Sequence, residues 1–241
     1  MNLIIDVGNS RVKMAVFNKS ELIHYEIFTY ENLLKEALAL IENYKCKQGI
    51  ISFVGPIKKN EIIVLESKID LIILNSETKL PFKNCYSTPK TLGVDRIALV
   101  SSAVKKFPNE NVLIIDAGTC ITYDFLNSEG LYFGGGISPG LQMRYKALNT
   151  FTEKLPLLEP SFPSNYIGDS TVSSMHSGVV NGVINEIDGT IKKYKEKNQD
   201  LTVVLTGGDV NFLSNRLKNS IFAIPNFLLE GLNRILTYNL D

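Results

Sequence analysis

The chain is poor in the residues that build most metal and redox centres. Two histidines among 241 residues exclude a histidine-rich metal site. The three cysteines, Cys46, Cys85 and Cys120, are odd in number and far apart. That pattern fits reduced thiols and excludes a disulfide framework or a zinc site. Charge of either sign is not in excess, since 25 Lys+Arg balance 25 Asp+Glu. A neutral chain has no electrostatic footprint for nucleic acid, so none is expected as a partner. No apolar run approaches bilayer length, and no basic segment precedes an apolar one at the N-terminus. The expectation is therefore a cytoplasmic protein with no membrane partner. Low-complexity segments are absent, and so are Gly-x-x-x-x-Gly-Lys-Ser/Thr and Gly-x-Gly-x-x-Gly. Walker-type and Rossmann-type phosphate sites lose their support with them.

What the chain does have is a repeat. Leu3-Ile4-Ile5-Asp6-Val7-Gly8-Asn9-Ser10 returns half a chain later as Leu113-Ile114-Ile115-Asp116-Ala117-Gly118-Thr119-Cys120. Each copy is an apolar run that ends in Asp-x-Gly, which reads as a buried strand with a carboxylate at its exposed end. Asp-Gly alone would fit a hairpin turn, in which both residues serve only the backbone. Two copies favour a duplicated nucleotide-binding half. Two such turns facing one polyphosphate would set carboxylates beside phosphates, which requires a cation between them. At 44% hydrophobic and 21% charged, the composition is that of a globular protein with a sizeable core.

Patterning predicts strands at 2–6, 11–17 and 22–28, then a helix at 31–44 with a stripe of Leu33, Leu34, Ala37, Leu38, Leu40 and Ile41. A strand at 49–54, a helix at 57–67 and a strand at 70–74 follow. Residues 75–92 read as a polar loop, and 94–107 as a helix opening at Gly93-Val94-Asp95-Arg96. A boundary is expected at 108/109, giving halves 1–108 and 109–241. The second half shows strands at 111–116, 120–126 and 130–135, a helix at 140–151 and a Pro-rich loop. One long helix at 170–197, a strand at 201–205, a helix, a strand at 220–224 and a helix at 226–238 complete it.

Four constellations can carry chemistry. The turn between Asp6 and Lys13 offers backbone N–H groups to phosphate oxygens, with Asp6 holding Mg²⁺ directly or through water. Lys13 reads either as part of that site or as an exposed strand residue. Asp95 reads either as a charge matched to a helix N-terminus and paired with Arg96, or as a general base on a substrate hydroxyl. In the second case Arg96 grips a carboxylate or phosphate. The run Gly134 to Gly140 lets backbone approach a ligand, with Ser138-Pro139 starting the next helix. Thr206-Gly207-Gly208-Asp209 leads into a helix whose N-terminus is an anion site in principle. Gly178 and Gly182 point to close packing of another helix, and His176 to a packed or surface histidine.

Taken together these residues resemble the type III pantothenate kinases of the acetate and sugar kinase/Hsc70/actin superfamily. The matching motifs are Asp-x-Gly-Asn-Ser-x-x-Lys (6–13), Gly-x-Asp-Arg (93–96), and Asp-x-Gly-Thr (116–119) with Thr122 and Asp124. Gly-Gly-x-Ile-x-Pro-Gly (ending at Gly140) and Thr-Gly-Gly-Asp (206–209) complete the set. The resemblance implies an α/β fold of two ribonuclease-H-like, actin-like ATPase halves with mixed sheets flanked by helices, ATP between them, and a homodimer. It assigns ATP binding to Asp6, Val7, Gly8, Asn9, Ser10, Arg11, Val12, Lys13 and Thr119. It assigns the pantothenate pocket to Tyr86, Gly93, Val94, Asp95 and Arg96, with Asp95 as proton acceptor. It also sets Thr171 against pantothenate across the dimer interface. Asp116 ligates a monovalent cation, K⁺ or NH₄⁺, beside the Mg²⁺ at Asp6. Ser10 stands where the family usually has Thr, and Cys120 where it often has Ala. Residues 141–165 match no motif. The implied activity is phosphorylation of pantothenate to 4′-phosphopantothenate, at the start of coenzyme A synthesis. The alternatives are a transcription accessory factor of the same fold without kinase turnover, or an actin/Hsc70-like nucleotide switch.

Overall fold

A computed structural model describes residues 1–9, 11–55 and 57–240 as two compact units. The first comprises Met1–Pro108, Gly130–Tyr132 and Asn226–Asp241; the second comprises Asn109–Glu129 and Phe133–Pro225.

In the first unit β1 (Asn2–Val7), β2 (Val12–Asn18) and β3 (Glu21–Phe28) form an antiparallel meander. α1 (Leu33–Tyr44) leads to β4 (Gln48–Phe53), parallel to β1, and α2 (Lys59–Glu66) leads to β5 (Asp70–Ile73), parallel to β4. The sheet order is β3-β2-β1-β4-β5. β1 and β4 lie inside the sheet and are covered on both faces, which is why they read as continuous apolar runs. β3 lies at the edge and is largely exposed. Leu33, Ala37 and Leu40 of α1 and Leu65 of α2 pack with Leu3, Ile5 and Ile51. α3 (Val94–Lys106) and α8 (Phe227–Leu240) pack on each other and against β4.

In the second unit β7 (Asn111–Ala117), β8 (Cys120–Leu126) and β9 (Leu131–Pro139) are followed by α4 (Leu141–Thr150), α5 (Thr171–His176) and α6 (Gly182–Lys197). Then come β10 (Leu201–Thr206), α7 (Val210–Leu213) and β11 (Phe222–Ala223). The strands run in the order β11-β10-β7-β8-β9, with β7 antiparallel to β8 and parallel to β10. Read from β9 to β11, this is the order of the first sheet, so the sequence repeat is also a topological one. Tyr145, Val180, Val183, Ile187 and Ile191 pack on Leu113, Ile115 and Leu205.

Several local expectations are corrected. The loop 75–92 contains β6 (Lys83–Asn84), parallel to the first residues of β9, and a 3₁₀ turn at Pro89–Thr91. A two-residue strand exists only through its distant partner, so it left no local pattern. The helix expected from 31 begins as a 3₁₀ turn, Tyr30–Asn32. The helix expected over 170–197 is interrupted by a π-helical stretch, Ser177–Asn181, which adds a residue to the turn between α5 and α6. Added Cβ atoms on Gly178 and Gly182 would meet nothing within 4 Å, so no described helix packs against them. Ser138 and Pro139 end β9, and Gly140 is the N-cap of α4. Gly135 is pressed against the carbonyl of Tyr123 in its own sheet, so strand packing accounts for that glycine. α7 has four residues, too short for a helix-terminus anion site.

Gly231 of α8 shows how closely the helices of the first unit meet. An added Cβ would overlap the carbonyl of Ala98 on α3, a backbone group that cannot turn aside. Alanine is the better helix former by about 1 kcal/mol. The clash outweighs that gain, so Gly231→Ala should destabilise the protein by about 2 kcal/mol and lower the melting temperature by roughly 4–8 °C. A melting curve at or above wild type would refute this packing.

Candidate active site

Asp6 lies buried at the end of β1. The ladders set Lys13 of β2 on one side of it and Ser52 of β4 on the other. Lys13 Nζ stands 3.8 Å from Asp6 Oδ2, and Ser52 Oγ donates to Asp6 Oδ1 at 3.0 Å. Lys13 is therefore an ion-paired side chain, although its side chain is 36% exposed. Burial pushes the Asp6 carboxyl above its ordinary range; Lys13 and Ser52 oppose the shift, and the charge of Asp95 adds to it. Ser52 escaped the sequence reading because only strand register reveals it.

The turn after Asp6 is held by backbone. Gly8 N–H donates to Arg11 O at 3.1 Å, and the N–H groups of Val54 and Gly55 both donate to Val7 O. Tyr30 Oη donates to Gly8 O. A Cβ on Gly55 would overlap that same carbonyl. Neither Tyr30 nor Gly55 carried a sequence signal for this turn. Val7 and Val12 are core residues, so their contribution to a ligand is confined to backbone. Asn9 and Arg11 are exposed, and Ser10 lies outside the described residues.

Asp95 occupies the first turn of α3, where its Oδ1 accepts from Arg96 N–H at 2.8 Å. This bond orients the carboxylate, so helix-end and base roles are compatible. Gly93 leaves the room, since a Cβ there would overlap Asp95 Oδ1. The buried Arg96 guanidinium lies 5.5 Å from the Tyr86 ring centroid. Tyr86 stacks on the fully buried Tyr132 at 6.3 Å, and Phe82 meets Tyr132 edge-on. Asn84 of β6 accepts from Tyr86 N–H at 3.0 Å. The first unit thus links Asp6, Lys13, Asp95, Arg96 and Tyr86, with Gly93 and Val94 at the opening of α3. Tyr132 and Phe82 were missed because strand pairing, not spacing, brings them in.

The second unit repeats the carboxylate without its lysine. Asp116 faces Thr122 across the ladder, where Asp6 faces Lys13. The buried Thr122 Oγ1 has no hydrogen-bond partner among the described residues. Gly207, at φ +97°, lies over this strand end, and a Cβ there would overlap both Asp116 Oδ1 and Ala117 O. Asp209 N–H donates to Ala117 O at 2.9 Å, and burial pushes the Asp209 carboxyl up. Gly140 N–H donates to Thr119 O at 3.1 Å. Among the described residues no cluster of three or more His, Cys, Asp or Glu could hold a metal ion. A cation here would be held by one or two carboxylates plus carbonyl, hydroxyl or ligand oxygens. Thr171 opens α5 and lines a groove of about 1170 Å³ with Arg144, Phe151, Met175 and Gly178; Asp116 and Thr119 are not among its walls. His176 bonds Tyr145 through Nδ1 at 2.7 Å, the packed histidine expected.

A carboxylate at each strand end, a backbone turn beside it and, in the first unit, a second carboxylate with an adjacent arginine suit phosphoryl transfer, in which positioning and charge neutralisation dominate. Two mixed sheets flanked by helices make this the fold of the actin-like ATPases and sugar kinases. A glucokinase from an Antarctic psychrotroph superposes with a TM-score of 0.54 at 11% identity, covering 98% of both chains. A conserved Baf family protein from Campylobacter jejuni gives 0.65 at 21% identity, covering 99% of this chain and 98% of its own. A family model for type III pantothenate kinase matches residues 2–193. Proteins of that name from Christiangramia forsetii and Flavobacterium johnsoniae are 49% and 46% identical. The matches cover 99% and 100% of this chain, and 99% of each relative. The chain belongs to the type III pantothenate kinase family.

Asp6 gives a signed prediction. A carboxyl raised by burial binds its proton more tightly in the folded than in the unfolded state, so its contribution to stability is lost as pH rises through the folded value. Above the pH at which the unfolded carboxyl ionises, burying Asp6 is therefore a cost. Asp6→Asn should raise the melting temperature of the ligand-free protein at pH 8 by a few degrees, on the order of 1 kcal/mol. The gain should shrink towards pH 4, and kinase activity should be lost. A variant that melts lower than wild type at pH 8 would show that the Lys13 and Ser52 contacts outweigh burial.

Proposed function

We propose that the chain transfers the γ-phosphoryl group of ATP to the terminal primary hydroxyl of pantothenate, giving 4′-phosphopantothenate for coenzyme A synthesis. Family membership carries this reading, together with one linked set of Asp6, Lys13, Tyr86, Asp95 and Arg96 in the first unit. Asp95 accepts the hydroxyl proton as the oxygen attacks phosphorus. Its bond to Arg96 N–H aims it. Arg96 holds the pantothenate carboxylate in its fork, with Tyr86 as a wall and Gly93 and Val94 beside them. Asp6 to Lys13 bind ATP, largely through the backbone of the turn. Thr119 contacts a phosphate from the second unit's turn.

Two cations fit the residues present. The oxygen donor and buried charge of Asp6 suit Mg²⁺ held through water, which neutralises triphosphate charge when bound. At Asp116 the oxygens Asp116 Oδ1 and Ala117 O converge beneath Gly207, and among the described residues Thr122 Oγ1 has no hydrogen-bond partner. Those oxygens suit K⁺ or NH₄⁺, standing where Lys13 supplies a fixed ammonium in the first copy.

The protein acts as a cytoplasmic homodimer, without nucleic acid or membrane partners. Thr171 reaches the pantothenate pocket of the other subunit, and the exposed Phe151 and Ile167 near the groove suit a subunit contact. Balanced charge supports the absence of nucleic acid, and no described helix is long and apolar enough to cross a membrane. The boundary at 108/109 separates the two repeats along the chain, while the segment from Asn226 onwards returns to the first unit.

ATP turnover measured with and without pantothenate tests the activity. Turnover should require pantothenate, and Asp95→Asn should lower kcat about 10²–10⁴-fold with ATP binding little changed. Pantothenate-independent hydrolysis of equal rate would refute the substrate; near wild-type kcat in the variant would leave Asp95 with its helix-end duty alone. The cation site has its own readout. Wild type should be faster in K⁺ than in Na⁺ at matched ionic strength, and Thr122→Val should raise the K⁺ concentration needed for half-maximal rate. Equal rates in the two salts would remove the monovalent cation.

A further inference from the structure

We propose that Arg144 is a positioning residue for the phosphate turn Gly118–Thr119, with Glu186 and Tyr123 as its supports. The proposal rests on the reading that this turn meets ATP. Arg144 stands in the first turns of α4, yet its guanidinium reaches back along the chain. Nε donates to Pro139 O at 2.9 Å, and Nη2 donates to Ser138 Oγ at 3.0 Å and to the Glu186 carboxylate. Tyr123 Oη donates to the other Glu186 oxygen at 2.9 Å. One fork therefore ties the end of β9 to α6 and, through Glu186, to β8.

The residue after Pro139 is the point of leverage. Gly140 N–H donates to Thr119 O, and a Cβ on Gly140 would overlap the carbonyls of Gly118 and Thr119. The turn's carbonyls rest directly on Gly140, and the two residues before Gly140 are gripped by Arg144. A shift at Ser138–Pro139 must therefore reach Thr119. Charge supports the same assignment. Burial works against ionisation of Glu186, but hydrogen bonds from Arg144, Ser138 and Tyr123 and the Arg144 charge hold it below the usual carboxylate range. Tyr123 is pushed well above the usual phenol range by burial and by Glu186, so it remains a donor. Three acceptors in fixed directions call for a guanidinium fork; an ammonium cannot reproduce them.

The plainer role for this network is to staple α4 to α6, and the test separates the two. Binding of MgATP to the full chain without pantothenate is measured by calorimetry, followed by KM for each substrate, melting temperature and mass by light scattering. Arg144→Met should weaken MgATP binding roughly 5–30-fold, a loss of about 1–2 kcal/mol at the turn. KM for pantothenate should stay within about twofold, and Arg144→Lys should fall between Met and wild type. If Arg144→Met does not fold, Glu186→Gln provides the same comparison. A lower melting temperature with unchanged MgATP affinity, or equal weakening towards both substrates, would overturn the proposal. Thr119→Val separates it from the reading beneath it. If Thr119→Val weakens ATP binding and Arg144→Met does not, only the strut fails. If Thr119→Val has no effect while Arg144→Met does, the turn's backbone keeps its role and the Thr119 hydroxyl loses it. If neither variant affects ATP binding, the turn is not part of the nucleotide site and both fail.

Discussion

Each unit is organised around a carboxylate at the end of a buried strand, with a second loop lying directly on the turn that follows. In the first unit that loop carries Gly55 onto the carbonyl of Gly8. In the second it carries Gly207 onto Asp116 and Ala117. A side chain at either glycine would push the layers apart. The strands that deliver these loops, β4 and β10, must therefore run parallel to β1 and β7 and end at the same level, as the registers show. The helix crossovers follow, since parallel neighbours need a long connection. Each turn's backbone is fixed by that geometry, with the carboxylate at its edge.

The two copies have diverged in how they balance charge. Asp6 has a lysine across the ladder and a serine beside it, both within reach of its carboxylate. Asp116 has Thr122 across the ladder, and Thr206 stands where Ser52 does, with its hydroxyl on Pro225 O. The first carboxylate has an ammonium built in opposite it; the second faces only a neutral hydroxyl. The two repeats thus differ in whether the residue facing the carboxylate is charged. Asp95 belongs to neither copy's turn. It comes from the helix after the first half's strands, and its charge is felt at Asp6.

Many individual residues serve two purposes. Asp95 satisfies a helix-end N–H, and that bond leaves its carboxylate oriented for chemistry. Tyr132 fills the core and supplies the surface on which Tyr86 stacks. Arg144 joins two helices while gripping the residues that support a loop. Such overlap keeps the site rigid at little entropic cost, because the ordering is already needed for folding.

The repeated Leu-Ile-Ile-Asp-x-Gly was legible without coordinates because buried strands read as apolar runs and Asp-x-Gly punctuates them. The helical stripe of α1 was legible for the same kind of reason, since 3.6-residue spacing leaves a local trace. From these the sequence by itself determined the mixed α/β class, the duplication and the identities of the carboxylates. Tertiary structure alone decided who stands beside them. Ser52 and Thr122 are set opposite their aspartates by strand register, Tyr30 and Gly55 reach the first turn through crossover, and β6 exists only by pairing with β9. Hydrogen bonds between strands depend on partners distant in the chain, and such partners leave no periodic mark in the residues that make them.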